Sequence, residues 1–241
     1  MKTLAHKQDS LLIVYDADAI QYPGPFLFSD AYWSERGAVT GEAAGRGSVL
    51  LLDTPFGSAV LRQYLRGGKA AKVSRDRYVF SGFEKSRPVM EYSMLERLSG
   101  AGLPVPGPLA AMCARDGVLY RGWILMRMVR DAGPLADLIV ERRNDPALWR
   151  ATGECIRRFH DHGVIHADLN ARNILVDGAG EVHLIDFDRA RIRKKDSRAF
   201  RSNLKRLQRS LHKVWPAGDR EQLTACWRSL EEGYGLEVVP A

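Results

Sequence analysis

The chain has 241 residues, enough for one large domain or two lobes, and 45% of these residues are hydrophobic and 27% charged. These values exclude an intrinsically disordered, collagen-like or low-complexity protein. The formal net charge of +7 is concentrated in residues 189–213. That segment holds eleven Lys or Arg and one Asp, a local charge of +10, so the rest of the chain carries −3.

The apolar runs and the cysteines predict the cellular compartment. No apolar run approaches the ~18 to 20 residues that span a bilayer, so we expect neither a cleaved signal peptide nor a transmembrane helix. The three cysteines contain no C-x-x-C pair and are odd in number, which argues against a disulfide framework or a zinc site. A reducing cytoplasm is therefore the expected location.

The sequence pattern predicts mostly strands in the first half of the chain. Residues 39–65 have the pattern of a strand pair around a turn at 53–57. Residues 67–87 are glycine-rich and charged, which predicts a mobile excursion. Pro88 then begins a helix of about three turns that ends near Gly100. Two further strands are predicted on either side of a turn, at residues 109–113 and 123–129.

Helical patterns dominate the second half of the chain. A short amphipathic stretch near Leu135 precedes a helix that begins at the capping pair Asp145-Pro146. Two short apolar runs, 174–176 and 182–185, predict a hairpin, and the pattern becomes helical again from about Ser197.

The change of pattern near residue 130 predicts two lobes. Residues 1–130 should form a small mixed N-terminal lobe with an antiparallel sheet and one main helix. Residues 131–241 should form a mainly helical C-terminal lobe. The predicted fold class is therefore α+β.

The segment HADLNARN at 166–173 and the segment DFD at 186–188 contain the residues most informative about chemistry. Phosphoryl transfer from ATP needs a carboxylate beside the acceptor hydroxyl and oxygen ligands for magnesium. An Asp and an Asn five residues apart on one loop supply the carboxylate and one ligand. A second Asp after an apolar hairpin completes the set.

This order and spacing resemble the catalytic core of the protein kinase-like superfamily, whose fold is two-lobed and binds ATP in the cleft. The resemblance implies that Asp168 orients or deprotonates the acceptor hydroxyl. It also implies that Asn173 and Asp186 bind Mg²⁺. The alternative to a catalytic site is a pair of polar turns around a buried hairpin, with only a structural role.

The N-terminal half contains candidate nucleotide-binding residues. Gly41, Gly45 and Gly47 resemble the loop that covers ATP phosphates, although glycines before a strand are often only a turn. Arg62 stands where the superfamily usually has a phosphate-binding lysine, and a guanidinium can also bind two phosphate oxygens. Glu91 resembles the carboxylate that pairs with this cation. Two later cations are alternatives to Arg62, namely Lys69 and Lys72.

Three departures separate the chain from regulated protein kinases. Ala167 replaces the arginine that often captures a phosphorylated activation loop, and Asp188 replaces the glycine of the metal motif. No Ala-Pro-Glu sequence follows. Regulation by activation-loop phosphorylation is therefore not expected, and the pattern favours a small-molecule or lipid-sugar kinase.

A closer resemblance, over roughly residues 28–215, is to the bacterial 3-deoxy-D-manno-octulosonic acid (Kdo) kinase family of the lipopolysaccharide kinase group. It rests on four stretches of sequence: GRG at 45–47, LRQYLRGG at 61–68, EY at 91–92 with GLPVP at 102–106, and HADLN at 166–170 with DFD. The resemblance implies transfer of the ATP γ-phosphate to the 4-hydroxyl of Kdo on Kdo-lipid A. It also implies a location at the cytoplasmic face of the inner membrane.

The basic segment has the pattern of an amphipathic helix. Its apolar side chains recur at helical spacing and should pack on the C-terminal lobe: Phe200, Leu204, Leu207, Leu211 and Trp215. The outward Lys and Arg would then be solvated or would face an anionic membrane surface, where each contributes ~1 kcal/mol. We therefore expect peripheral association with the membrane.

Two other functions remain open from the residues alone. The catalytic set does not name its acceptor, so a kinase for a soluble metabolite or for protein Ser/Thr is the first alternative. A nucleic-acid-binding protein is the second, because of the basic segment. That segment lacks the aromatic residues of a single-strand platform, and we expect no nucleic-acid partner.

Overall fold

A computed structural model of the chain describes residues 1–43, 49–66, 76–193 and 196–236. The chain forms two compact units. The first comprises Met1–Arg97 and Pro106–Met128, and the second comprises Leu98–Val105 and Val129–Ala241. The described residues combine helices with a large antiparallel sheet, so the predicted α+β class is confirmed.

The first unit is built on an antiparallel sheet of eight described strands. In order across the sheet these are β1-β2-β7-β8-β5-β4-β3, and β6 also pairs with β8. The strands are β1 (Thr3–Gln8), β2 (Leu11–Asp16), β3 (Val39–Ala43), β4 (Val49–Thr54), β5 (Gly57–Gln63), β6 (Tyr78–Val79), β7 (Pro108–Asp116) and β8 (Leu119–Arg127). The helices that begin in this unit are α1 (Asp30–Glu35) and α2 (Arg87–Gly100).

Central strands of this sheet supply the apolar core of the first unit. Ile13, Leu61, Leu109 and Leu125 are almost completely buried. Trp33 of α1 packs into the same core, and its indole N–H donates to the carbonyl of Leu27 (2.9 Å). Burial of this apolar surface is the main force that holds the strands together.

Helix α2 begins in direct contact with β8. The backbone N–H of Arg87 donates to the hydroxyl of Tyr120 (3.0 Å), and Pro88 lies over Gly122. A Cβ atom at position 122 would lie 2.8 Å from the Pro88 ring, closer than real contacts allow. The glycine therefore fixes where α2 meets the sheet, one turn before Glu91.

The second unit contains short strands and the longer helices. Its strands are β9 (Gly133–Pro134), β10 (Val164–Ile165), β11 (Ile174–Val176), β12 (Val182–Leu184) and β13 (Arg191–Ile192). Its helices are α3 (Leu135–Val140), α4 (Pro146–Asp161), α5 (Ser197–Val214) and α6 (Arg220–Tyr234). None of the described helices has the length and apolar content needed to cross a membrane.

Two glycines let α4 and α6 approach each other at backbone distance. A Cβ atom at Gly153 would lie 2.0 Å from the carbonyl oxygen of Leu230. A Cβ atom at Gly233 would lie 2.1 Å from the carbonyl oxygen of Arg150. Neither position has room for a methyl group, so this crossing depends on both glycines.

Most elements lie where the sequence pattern places them. The strand pair, the helix after Pro88, the capping of α4 by Asp145 and the β11–β12 hairpin are confirmed. The segment expected to be a mobile excursion is described only at 76–87, where it forms β6 and the start of α2. Leu98–Val105 belong to the second unit because Arg158 and Leu184 donate hydrogen bonds to carbonyl groups of this stretch.

Candidate active site

The β11–β12 hairpin brings two of the predicted site residues to the same end. Ile174 pairs with Leu184, and the backbone N–H of Ile185 donates to the carbonyl of Asn173 (3.0 Å). Asp186 follows Ile185 directly. Asn173 and Asp186 therefore lie at the same end of the hairpin although they are thirteen positions apart in the sequence.

His166 connects this hairpin to the loop that contains Asp168. Its Nδ1 accepts a hydrogen bond from the backbone N–H of Asp168 (3.1 Å), so the proton of the neutral ring is on Nε2. Nε2 donates to the carbonyl of Ile185 (2.9 Å), just before Asp186. Burial lowers the pKa of His166, which keeps the ring neutral and preserves both hydrogen bonds.

The backbone of Asp168 is fixed on both sides. Its carbonyl accepts hydrogen bonds from the side-chain amides of Asn170 and Asn173, both at 2.9 Å. Because Asn173 uses its Nδ2 in this contact, Oδ1 is the end of the amide left to ligate a cation. The Asp168 side chain itself is half-buried and can be reached by a substrate hydroxyl.

Asp186 has an unusual backbone conformation. Its φ angle of 64° lies in the left-handed region, which residues other than glycine rarely adopt. Phe187 is buried beside it and packs against the rings of Phe159 and His166, at centroid distances of 5.6 and 5.0 Å. This packing holds the strained turn in place, and such strain is concentrated at functional sites.

Helix α5 contacts the loop at residues 166–173, which contains Asp168, through three polar side chains. Asn203 exchanges two hydrogen bonds with the backbone of His166, at 2.7 and 3.0 Å. Arg206 forms an ion pair with Asp168 (2.9 Å), and the hydroxyl of Ser210 accepts from the backbone N–H of Ala171 (3.0 Å). The basic helix is therefore part of the candidate site.

Asn203 also joins the loop to α4. His160 is buried, packs flat on Phe200 at 4.3 Å and lies 3.4 Å from the Asn203 oxygen through Nε2. The hydroxyl of Tyr234 lies 2.7 Å from its Nδ1. Burial lowers the pKa of His160 to about 4, so this ring also stays neutral at physiological pH.

A pocket of about 340 Å³ opens beside Asp168. Its walls come from the loop that contains Asp168 and from one side of α5. The lining residues are Asp168, Asn170, Arg206, Arg209, Ser210 and Lys213.

The first unit contains the predicted cation and its carboxylate partner in contact. Arg62 on β5 forms an ion pair of 2.5 Å with Glu91 on α2, and Glu91 is buried. The hydroxyl of Tyr64, two residues along the chain from Arg62, donates to the same carboxylate. Burial raises the pKa of Tyr64 well above its ordinary value, which keeps this donor protonated.

The predicted phosphate loop is described only in part. Gly41 lies within β3, opposite Leu51, and is not part of the connection between the strands. Gly45 and Gly47 lie outside the described residues, as do the two alternative cations, Lys69 and Lys72.

Sequence reasoning missed Tyr64, Asn203, Arg206 and Ser210 as site residues. For Asn203, Arg206 and Ser210 the available signal was helical spacing. Residues three and seven positions apart lie on nearly the same face of a helix. For Tyr64 the available signal was its position two residues after Arg62, because alternate residues of an extended chain lie on the same face.

Comparison with known proteins identifies relatives of this chain. The Lipopolysaccharide kinase (Kdo/WaaP) family profile matches residues 30–234. The chain is 44% identical over 225 residues to the 3-deoxy-D-manno-octulosonic acid kinase of Xanthomonas euvesicatoria pv. vesicatoria (strain 85-10), covering 93% of this chain and 89% of that protein. The protein of the same name from Stenotrophomonas maltophilia (strain R551-3) is 45% identical with the same coverage. The one from Xylella fastidiosa (strain M23) is 42% identical over 94% of this chain and 88% of its own length.

The family profile extends over most of the chain, and its range includes every predicted site residue, from Gly41 to Asp186. The similarity to the relatives covers most of both chains. This chain belongs to the lipopolysaccharide kinase (Kdo/WaaP) family.

Proposed function

We propose that this kinase transfers the γ-phosphate of ATP to the 4-hydroxyl of Kdo on Kdo-lipid A, a step in lipopolysaccharide core biosynthesis. The observation that carries the proposal is the hydrogen-bond system centred on His166, which links Asp168 and Asn173 to Ile185, the residue directly before Asp186. The relatives named as Kdo kinases support the acceptor.

Asp168 is the group that we assign to the acceptor hydroxyl. A carboxylate within hydrogen-bond distance of an alcohol aligns it for attack and accepts its proton as the bond to phosphorus forms. The fixed backbone of Asp168 limits how far this carboxylate can move. Holding the reactants in place supplies a large part of the rate increase in such reactions.

Asn173 and Asp186 have the donor set that fits Mg²⁺. An amide oxygen and a carboxylate are hard oxygen ligands, and the hydrogen bond from Asn173 Nδ2 to Asp168 leaves Oδ1 for the ion. We assign both residues to magnesium. A bound magnesium ion would offset negative charge on the nucleotide phosphates.

Transfer of labelled phosphate tests this function directly. Purified protein should move label from [γ-³²P]ATP to Kdo-lipid A in detergent micelles, and mass spectrometry should locate one added phosphate on Kdo. Free Kdo and casein serve as a soluble sugar and a generic protein substrate. Preferential labelling of either control would favour the alternative kinase functions.

We assign the phosphates of ATP to Arg62, with Glu91 holding the guanidinium. Arg62→Ala should raise the KM for ATP strongly, and Arg62→Lys should keep part of the activity because the charge remains but the planar fork does not. Arg62→Ala also removes the ion pair with the buried carboxylate of Glu91, which should lower the free energy of unfolding by roughly 3 kcal/mol. Steady-state kinetics and urea unfolding measure the two effects.

A double variant separates the two effects. Arg62→Met with Glu91→Gln removes both charges and retains an acceptor for Tyr64, so stability should return towards that of the wild type. The KM for ATP should stay high. Recovery of activity together with stability would show that Arg62 serves only to neutralise Glu91. If Arg62→Ala instead behaves like the wild type, Lys69 or Lys72 is the phosphate cation.

We also propose that the kinase associates peripherally with anionic membranes through the exposed face of α5. Arg201 and Lys205 are exposed, lie one turn apart and do not line the pocket beside Asp168. Replacing both with Gln should weaken binding to anionic vesicles by about 2 kcal/mol, or roughly 30-fold. Vesicle sedimentation at increasing salt measures it, since screening weakens such binding.

The matched control removes the same charge from the neighbouring helix. Arg220 and Arg228 are exposed on α6, and the double variant to Gln should bind vesicles more tightly than the α5 variant does. Equal binding of the two variants would mean that the net charge of the protein determines its affinity for vesicles. That result would contradict a specific role for α5.

A further inference from the structure

The pocket beside Asp168 contains more positive charge than the catalytic carboxylate needs. Arg206, Arg209 and Lys213 lie three, four and seven residues apart on one side of α5, and Arg206 pairs with Asp168. Among the residues that the structure describes, no carboxylate forms an ion pair with Arg209 or Lys213. Two cations beside the reacting group are therefore available to an anionic ligand.

We propose that Arg209 and Lys213 bind an oxyanion of the acceptor, namely the carboxylate of its sugar acid, and so direct the reacting hydroxyl towards Asp168. The inference rests on the proposed function. It assigns acceptor-binding residues to a site where the sequence showed none.

The carboxylate suits this pocket better than the other anions of the reaction. An octulosonic acid is ionised at neutral pH, and its carboxylate is on the same small sugar as the hydroxyl that Asp168 would contact. The phosphates of lipid A are on other sugars, farther from that hydroxyl. A pocket of about 340 Å³ can hold one sugar ring, and Asp168 and the cations line the same pocket.

The contacts of α5 make this pocket a built site rather than a chance group of surface charges. Ser210 accepts from the N–H of Ala171, which fixes the helix against the loop at the pocket wall (3.0 Å). Leu207 and Leu211 of the same helix are fully buried. The backbones that position Asp168, Arg209 and Lys213 are therefore held relative to one another.

Arg206 has a different role in this arrangement. Its contact with Asp168 Oδ1 (2.9 Å) positions the carboxylate at the pocket wall. The second carboxylate oxygen then remains for the acceptor hydroxyl. We treat Arg206 as a positioning residue and leave it unchanged in the test.

The test compares Arg209→Gln/Lys213→Gln with the control Arg220→Gln/Arg228→Gln, which loses the same charge on α6. In neutral detergent micelles the pocket variant should raise the KM for Kdo-lipid A by at least about tenfold, because charge-assisted hydrogen bonds are lost. The KM for ATP should stay within about twofold, and the control should behave like the wild type. A raised KM for ATP with an unchanged acceptor KM would overturn the proposal, because the cations would then bind the nucleotide.

Modified acceptors identify the anion. Reducing the Kdo carboxylate to an alcohol should impair the wild type but cause no further loss in the pocket variant. Removing the lipid A phosphates should impair both proteins equally or not at all. If dephosphorylation, rather than carboxyl reduction, abolishes the difference between the two proteins, the carboxylate assignment is wrong.

A binding measurement separates this inference from the proposed function. Saturation-transfer NMR without ATP should show Kdo monosaccharide bound to the wild type and to the control, and not to the pocket variant. A wild type that binds Kdo in this way but phosphorylates no Kdo-lipid A would reject the proposed function and leave the pocket assignment standing. Phosphorylation with unchanged kinetics and Kdo binding in the pocket variant would reject the pocket alone.

Discussion

Asp168→Asn and Asp186→Asn should each lower phosphate transfer by roughly 10²–10⁴-fold or more, the range for loss of a positioned acid–base group. The two losses have different causes. Asn at 168 keeps the shape of the side chain but removes the carboxylate that we propose accepts the proton. Asn at 186 removes the charge of a proposed magnesium ligand, and Asn tolerates the left-handed backbone at φ 64° better than Ala would.

Nucleotide binding distinguishes the two variants. Asp186→Asn should weaken magnesium-dependent ATP binding, whereas Asp168→Asn should leave it near the wild-type value. Titration calorimetry with and without Mg²⁺ measures this difference. Equal losses of affinity would contradict the division of roles, and substantial turnover in either variant would reject that residue's role.

A matched control keeps this test specific. Asp137 is an exposed carboxylate of α3 that lies 3.9 Å from Arg172 of the catalytic loop. Asp137→Asn makes the same chemical change beside the same loop without touching the proposed hydroxyl or magnesium. It should retain nearly full activity and the unfolding midpoint of the wild type.

Gly153→Ala should destabilise the second unit by about 3 kcal/mol or more. Overpacking usually costs ~1–3 kcal/mol, and here the added methyl would meet backbone atoms. The nearest atom is the Leu230 carbonyl oxygen, at 2.0 Å from the built Cβ. No side-chain rotation can relieve that contact, so α4 and α6 must move apart. The sign of the change in stability is informative, because replacing Gly by Ala inside a helix otherwise stabilises that helix by about 1 kcal/mol.

Two further variants decide whether the helix crossing is the cause. Gly233→Ala should be similarly destabilising because its methyl would meet the Arg150 carbonyl. Gly100→Ala, at the end of α2 with no atom within 4 Å of the added methyl, should be neutral or slightly stabilising. Urea unfolding gives all three values. Loss of stability in Gly100→Ala equal to that in Gly153→Ala would rule out the crossing as the explanation.

The sequence allowed the central part of the candidate site to be predicted because its information is local. Asp168 and Asn173 are on one short loop, and Asp186 follows a hairpin whose apolar runs are visible in the sequence. The pairing of Arg62 with Glu91 was predictable only through the family resemblance. Nothing in either residue's neighbourhood alone identifies a partner 29 residues away.

Other parts of the fold could not be predicted because their signals are not periodic. The β1–β2 hairpin was missed because nearly every residue of β1 is exposed, so its sequence lacks the alternation of a half-buried strand. The contact of Arg206 with Asp168 joins residues 38 positions apart. A sequence shows that α5 has an apolar stripe, but not which loop lies against its polar flank.

The two polar flanks of α5 have separable consequences for how such an enzyme can change. Asn203, Arg206 and Ser210 contact the loop that contains Asp168, whereas Arg201 and Lys205 face outward and make none of these contacts. Substitutions on the outward flank can therefore adjust the surface charge of α5 without altering the contacts that hold the Asp168 loop. One helix thus allows surface adaptation and chemical precision to be optimised independently, in evolution or by design.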